Sequence, residues 1–299
     1  MAHTPDTDTE NALSLMGGNS CRPEISILMA TYNGMKFLPE QLASLKAQTY
    51  SNWVLYVQDD LSIDGTADYL RAEAAQDTRI KLLPNSEKLG AMRNFMTLLA
   101  AVDAQYYMFC DQDDVWLPTK IEKTLACLKK AEAEWGAEFP LVAHTDLSVV
   151  DADLKQIAPS FWEMSRINPA LLTTFAQQAG HNLVTGCTMM FNRAARNVSL
   201  AFSDKTLMHD VWVLLCSLKQ GGRVVEVPEP LILYRQHGKN TLGAHDLRRN
   251  YFMKRLMSIK SVFEENRSNY RMLKSVGYGN IFKYIYYKLK YYVLYKKGG

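Results

Sequence analysis

The chain has 299 residues, 47% of them hydrophobic and 22% charged, with a formal net charge of +3. That length supports one large domain or two modest ones with ample core, and so small a charge leaves no electrostatic footprint for nucleic acid. The five cysteines, Cys21, Cys110, Cys127, Cys187 and Cys216, form no C-x-x-C pair, which argues against a disulfide framework or structural zinc and for a reducing compartment.

Residues 1–22 are rich in Thr, Asp, Asn and Gly and read as a disordered leader without the apolar segment of a signal peptide. From residue 23 the pattern alternates. "EISILMATYNG" is an apolar, β-branched strand closing in a turn, and "LPEQLASLKAQ" has helical spacing at Leu38, Leu42 and Leu45. "WVLYVQDD" is a second buried strand, "GTADYLRAEAAQ" a helix, "RIKLLPN" a short strand and "AMRNFMTLLAAV" a helix. "YYMFCDQDD" is the next strand, followed by the helix "PTKIEKTLACLKKAEAEW" with Pro118 near its first turn. Residues 140–236 are more mixed: the strand "LVAHTDLSVV", a Trp- and Phe-rich loop, "GHNLVTGCTMMFN", the helix "DVWVLLCSLKQG" and the strand "RVVEVPEPLILYR". The expected fold is α/β, a Rossmann-like, mainly parallel sheet flanked by helices over residues 23–240, with a helical region over 241–299.

In open sheets of this kind, ligands bind beyond the carboxyl ends of the strands. Asn33 and Gly34 end the first strand, Asp59 and Asp60 the second, and Asp111, Asp113 and Asp114 the fourth. Turn and cap chemistry accounts for Asp64 and Asp68. It does not account for acidic clusters repeated at one rim, because like charges repel and each prefers water. A divalent cation, Mn²⁺ or Mg²⁺, carrying a diphosphate offsets that repulsion. The turn "TYNGMKF" has one glycine, so neither a dinucleotide fingerprint nor a Walker A loop is present to bind phosphate instead.

"SILMATYNG", "VQDDLSIDGT" and "CDQDDVW", in this order and spacing, resemble the inverting family 2 glycosyltransferases of the GT-A fold, from about Ile25 to His237. "GHNLVTGCTMMFN", "HDVWVLL" and "YRQHGKNTLG" resemble a narrower group of bacterial polysaccharide glycosyltransferases, among them rhamnosyltransferases using dTDP-L-rhamnose. The resemblance implies a dTDP- or UDP-linked sugar donor. Thr31, Tyr32, Asn33, Asp60 and Asp113 would bind the nucleotide, with Asp60 accepting the base N3–H and Tyr32 stacking on the ring. Asp114, Asp113 and His237 would hold the metal, and the role of Asp111 is left open. Asp210, opening a helix, would be the general base, with a bland reading as a helix-dipole charge. His209 is an alternative and Asp146, just past a strand, the runner-up. Arg93 and Asn94 at a helix start could meet phosphate or sugar or simply cap the helix. Arg235, His237 and Lys239 would fold over the diphosphate, or form a solvated basic loop. Asp146, Trp116, Gly186, Cys187 and Arg235 are candidate sugar or acceptor contacts, with core packing the competing role for Trp116, Trp162 and Trp212.

The polymerases' Q-x-x-R-W and transmembrane helices have no counterpart here, so transfer of one or a few sugars is expected. A nucleotide-sugar pyrophosphorylase would need a glycine-rich first loop, and a non-catalytic binding module would have no use for Asp210. The C-terminal "IFKYIYYKLKYYVLYKK" carries five Lys, six Tyr and no acid. It suits an anionic membrane surface, or packs on the catalytic domain. A cytoplasmic enzyme is expected, peripheral on the inner face of the bacterial membrane and acting on a lipid-carrier-linked glycan.

Overall fold

The computed structural model describes residues 23–237, apart from 167, 182 and 183, and residues 259–297, with side chains over 266–290 of that second stretch. The leader, residues 1–22, and Lys239 lie outside the described residues.

The apolar run Ile25–Thr31 forms β1, buried on both faces as a central parallel strand must be. Successive side chains serve opposite layers. Ile25, Ile27 and Met29 enter one core and Leu28 the other. α1 (Leu38–Lys46) leads to β2 (Trp53–Asp59), α2 (Thr66–Gln76) to β3 (Ile80–Leu83), and α3 (Ala91–Ala101) to β4 (Tyr106–Cys110). β1 lies between β2 and β4, and β3 lies outside β2, all parallel. β5 (Val115–Trp116) precedes α4 (Lys120–Trp135), whose N-cap is Thr119, so Pro118 stands just before the helix.

The second half of the sheet is mixed. β6 (Leu141–Val150) pairs antiparallel with β7 (Gln156–Ala158) and β8 (Met189–Asn192), and β8 pairs antiparallel with β4. β9 (Arg223–Arg235) runs parallel to β6 and antiparallel to β5. The order is β3-β2-β1-β4-β8-β6-β9-β5, with β7 on β6. Helices α5 (Phe161–Met164), α6 (Phe175–Gly180), α7 (Arg193–Ser199) and α8 (His209–Lys219) fill the connections, followed by α9 (Ile259–Ser275) and α10 (Ile281–Lys297). α1 and α4 cover one face through Leu38, Leu42, Ile121 and Leu128. α3 and α8 cover the other through Phe95, Leu99, Trp212 and Leu215.

β9 keeps its strand despite Pro228 and Pro230, because the ladder with β6 breaks register there: Thr145 faces Val227, Asp146 faces Pro230 and Ser148 faces Leu233. Asp146 therefore lies inside β6 at a bulge, a correction to its expected place past the strand. The turn from α8 into β9 needs a bare backbone. A Cβ on Gly222 would stand 2.2 Å from the Pro140 oxygen and 2.7 Å from the Ser217 oxygen, both main chain. Gly222→Ala should thus cost about 1–3 kcal/mol and lower Tm by several degrees. Gly279→Ala, where a Cβ meets nothing within 4 Å, is the control, and equal melting of the two variants would refute the argument.

Candidate active site

The strand-end turns sort the acids by partner. Asp59 is consumed locally, accepting hydrogen bonds from Thr31 Oγ1 (2.8 Å), Ser62 Oγ (2.6 Å) and Ser62 N (2.8 Å). Asp60 reaches across to the start of α3, accepting from Leu89 N (2.7 Å) and Gly90 N (2.9 Å). Gly90 is the N-cap of α3 and has no side chain to cap with, so Asp60 satisfies that helix end from outside. Burial pushes the Asp60 carboxyl up, but hydrogen bonds from Asn94, Leu89, Gly90 and Asn85 outweigh it and hold the group below its ordinary value.

Asn33 sits at φ 46°. Its Oδ1 accepts from Ile63 N (2.9 Å) and its N–H donates to Ser62 Oγ (2.8 Å), so it ties the first turn to the second. Tyr32 beside it is 42% exposed, with Lys88 Nζ 3.6 Å from its ring centroid. The Gln112 amide locks this turn to the acidic loop, accepting from Tyr32 N (2.9 Å) and donating to Tyr32 O (3.1 Å). A Cβ on Gly34 would stand 2.2 Å from Gln112 Oε1; the single glycine of "TYNGMKF" makes room for that amide.

In the acidic loop, Asp111 and Asp113 line the cleft. Asp113 Oδ2 meets His237 Nε2 at 2.7 Å. Asp114 is 0% exposed and turned inward. Its Oδ1 accepts from Arg235 N (3.1 Å), and its Oδ2 has no hydrogen-bond partner among the described residues. Ligand atoms of Asp111, Asp114 and Cys187 lie within 4.8 Å of one another. Burial, then the charges of Asp113 and Asp210, push Asp111 up to about 7. Burial, then Asp113 and Asp111, push Asp114 well above the carboxylate range. Burial also pushes the Cys187 thiol up. Carboxyls that burial and mutual repulsion so disfavour as anions, one with an orphaned oxygen, suit a divalent cation. The carboxylate oxygens of Asp111, Asp113 and Asp114 with the His237 imidazole would form a hard donor set that matches Mn²⁺ or Mg²⁺, leaving the Cys187 thiol as a soft neighbour these cations do not call for.

Asp210 arrives from the opposite wall in the first turn of α8. Its Oδ2 accepts from Gly186 N (2.9 Å) and its Oδ1 from Val211 N (2.7 Å), which fixes the carboxylate plane. The resulting cleft holds about 350 Å³. It runs from Asp60 and Asn94, past Tyr32, Asp113 and His237, to Gly186 and Asp210.

Of the residues singled out in the sequence, Thr31, Tyr32, Asp60, Asn94, Asp111, Asp113, Gly186, His209, Asp210 and His237 share this cleft, and Asn33, Arg93, Asp114, Trp116, Asp146, Cys187 and Arg235 do not line it. Arg93 points outward to Asp204 (2.7 Å), while Asn94, one helical step on, points in. Trp116 is core, with the buried Lys120 Nζ 3.4 Å from its ring centroid; burial pulls that ammonium down to about 7. Asp146 accepts from Leu147 N (2.8 Å), Trp162 N (3.2 Å) and Ser160 Oγ, fastening α5 to β6. Arg235 is buried, not folded over a ligand. It donates to the Asp113 oxygen (2.8 Å) and the Ala152 oxygen (2.5 Å) and pairs with Glu40, which braces the acidic loop from behind. Trp162 and Trp212 are likewise core. Lys88, Gln112, Thr185, Met208 and Tyr234, with Ala30, Gly90, Ala91 and Phe95, complete the lining without having been singled out; only Gln112, set between two acids, carried a signal.

This cleft, at the carboxyl rim of β1, β2 and β4, belongs to a nucleotide-sugar transferase of the GT-A fold. Residues 26–197 match the family described as Glycosyl transferase family 2; that is more than half the chain, and the protein belongs to this family of glycosyltransferases. It is 23% identical over 281 residues to an uncharacterized glycosyltransferase of Haemophilus influenzae, covering 86% of this chain and 85% of the relative. It is 29% identical over 231 residues to the dTDP-rhamnosyl transferase RfbG of Shigella flexneri, covering 73% and 74%. Among solved structures, it resembles the mannosyltransferase PcManGT of Pyrobaculum calidifontis in complex with GDP-Man and Mn²⁺ (TM-score 0.55, 14% identity, 97% of this chain, 89% of that one). It also resembles S. aureus TarS 1-349 in complex with UDP-GlcNAc (TM-score 0.56, 14% identity, 79% and 66%), and it spans 36% of a longer TarS chain. At these identities the structural likeness establishes the fold.

Proposed function

We propose that the protein is a metal-dependent, inverting glycosyltransferase that moves L-rhamnose from dTDP-L-rhamnose to a hydroxyl of a bacterial surface polysaccharide or O-antigen precursor. The observation that carries this reading is the convergence of Asp60, the Asp113–His237 pair and Asp210 on one cleft. Asp60 accepts the N3–H of the thymine or uracil ring, and Tyr32 offers its exposed face for stacking. Asp113 and His237 would hold the divalent cation, backed by Asp111 and Asp114, and the bound cation would supply positive charge to offset that of the diphosphate leaving group. Asp210 takes the proton of the acceptor hydroxyl as that oxygen attacks the anomeric carbon and the nucleoside diphosphate leaves from the opposite face. The two main-chain donors on Asp210 hold the carboxylate oriented for that role.

The RfbG likeness favours a rhamnosyl donor. A UDP-hexose is the second reading. It is favoured by 35% identity over 106 residues, 36% of this chain, to the Escherichia coli UDP-Glc:alpha-D-GlcNAc-diphosphoundecaprenol beta-1,3-glucosyltransferase WfgD. A donor screen scored by released dTDP or UDP, with and without Mn²⁺, tests both; release from neither donor class would overturn the proposal.

A lipid-carrier-linked acceptor would bring the enzyme to the inner face of the cytoplasmic membrane. No helix among the described residues is long and apolar enough to cross a membrane. α10 nevertheless carries an exposed apolar stripe, with Phe282 80% and Leu289 60% exposed, Ile285 and Tyr286 between them and Ile281 beside Phe282. Lys283 and Lys290 flank it in solvent. The opposite side, through buried Tyr284 and through Tyr287 against Gly180, packs on the fold, so surface substitution is a cleaner test than truncation. Full-length protein should sediment with anionic vesicles at low salt, and Phe282→Ser/Leu289→Ser should weaken this at least tenfold while sparing transfer to a soluble acceptor. Equal sedimentation of the two proteins would count against α10 as the anchor.

A further inference from the structure

His209 opens α8 one residue before Asp210 and lines the cleft. Its ring stacks on Phe95, centroids 4.0 Å apart at 24°, and meets the edge of Phe109 at 4.5 Å and 84°. These contacts fix the ring plane and offer no polar partner. The residue is 5% exposed, and neither Nδ1 nor Nε2 has a hydrogen-bond partner among the described residues. Buried polar side-chain atoms are overwhelmingly bonded, so an imidazole with two unmet nitrogens at the wall of a cleft is set up for a group that arrives with a ligand.

Gly186 lies directly beside this ring: a Cβ there would stand 2.9 Å from His209 Nε2 and 3.4 Å from Asp210 Cβ, so only glycine lets the main chain, the imidazole and the Asp210 carboxylate share this corner of the cleft. Burial holds the imidazole below its ordinary value, with Asp210 opposing more weakly. The ring is therefore neutral at neutral pH, with one donor and one acceptor nitrogen. That combination matches a hydroxyl, which both donates and accepts, better than a phosphate, which only accepts.

We propose that His209 hydrogen-bonds a hydroxyl of the sugar being transferred and so helps to select the donor. This rests on the nucleotide-sugar reading of the cleft. The donor sugar is favoured over the acceptor because His209 packs on Phe95 of α3, directly after Asn94, which meets Asp60 at the nucleotide end. A wall buried this deeply is met by the substrate that fills the cleft first, and the contact seats the anomeric carbon before Asp210.

The test compares nucleotides with nucleotide sugars. Calorimetry with Mn²⁺ would use UDP, dTDP, UDP-glucose, UDP-N-acetylglucosamine and dTDP-L-rhamnose on wild type, on His209→Phe, which keeps the aromatic stack and removes both nitrogens, and on His209→Gln. His209→Phe should bind UDP and dTDP as wild type does and lose roughly 3–10-fold for the preferred nucleotide sugar, with His209→Gln recovering part of the loss. In ¹⁵N-histidine wild type, the His209 ring signals should move with the nucleotide sugar and stay with the bare nucleotide; this readout needs no variant to fold. Equal losses for nucleotide and nucleotide sugar, or ring signals indifferent to the sugar, would overturn the inference alone. Failure of wild type to bind any of the five probes would overturn the reading of the cleft and this inference with it.

Discussion

Asp210→Asn should lower kcat by roughly 10²–10⁴-fold at saturating donor while leaving nucleotide affinity unchanged, because general base catalysis has about that worth and the proposed base acts only as the acceptor loses its proton. The structure also sets the expected stability cost. Both oxygens of Asp210 accept main-chain N–H groups, from Gly186 and Val211. An asparagine amide has one acceptor oxygen, so one of these donors loses its partner, at a cost of about 1–3 kcal/mol. Tm should therefore fall by a few degrees, far short of unfolding the protein at assay temperature. A variant that melts in that range and still turns over within about tenfold of wild type would remove Asp210 from the mechanism. Asp111, the cleft carboxylate that feels the charge of Asp210, would then be the next candidate; Asp146, tied to α5, would not.

Asp113→Ala should abolish the gain in dTDP or UDP affinity that Mn²⁺ provides, a loss of at least 10–100-fold or about 1.4–2.7 kcal/mol. Asp113 is the acid that both faces the cleft and meets His237, so on the proposed reading its removal strips a direct ligand and leaves the imidazole without its partner. Asp114→Ala should act differently. That carboxyl is buried against the Arg235 main chain, so its loss should disturb the acidic loop and lower Tm as well as affinity. Titrations with and without Mn²⁺, beside melting curves, separate the two. If Asp113→Ala keeps the metal-dependent gain and Asp114→Ala loses it without destabilisation, the cation belongs on the inner trio of Asp111, Asp114 and Cys187.

The first half of the fold was legible because β1, β2 and β4 are apolar runs that stop at polar turns, two of them acidic, and its helices carry their apolar residues at helical spacing. Strand direction was not. Nothing in "MMFN" says that β8 runs against β4, since a side-chain period of two is blind to polarity. The site was legible at the level of which loops meet and not at the level of which atom points where. Asp113 and Asp114 are neighbours with the same chemistry, and the loop conformation alone sends one to the cleft and the other inward. Arg93 and Asn94 differ by one helical step, which is enough to turn one to solvent and the other toward Asp60. Arg235 looked like a ligand group because it is cationic near the end of a strand; its partners, the main-chain oxygens of Asp113 and Ala152, are distant in sequence and leave no local trace. The same holds for Gln112, whose amide completes the Tyr32 turn across 80 residues.

The reach of Asp60 to the bare N-cap of α3 has an evolutionary and engineering consequence. On the proposed reading, the atom that recognises a pyrimidine also finishes a helix that packs against the central sheet. A lineage shifting toward a purine-linked donor by replacing Asp60 would uncap α3 in the same step and lose about 1 kcal/mol before any new base was bound. Base preference should therefore drift more slowly in this scaffold than sugar preference, which depends on side chains that cap nothing.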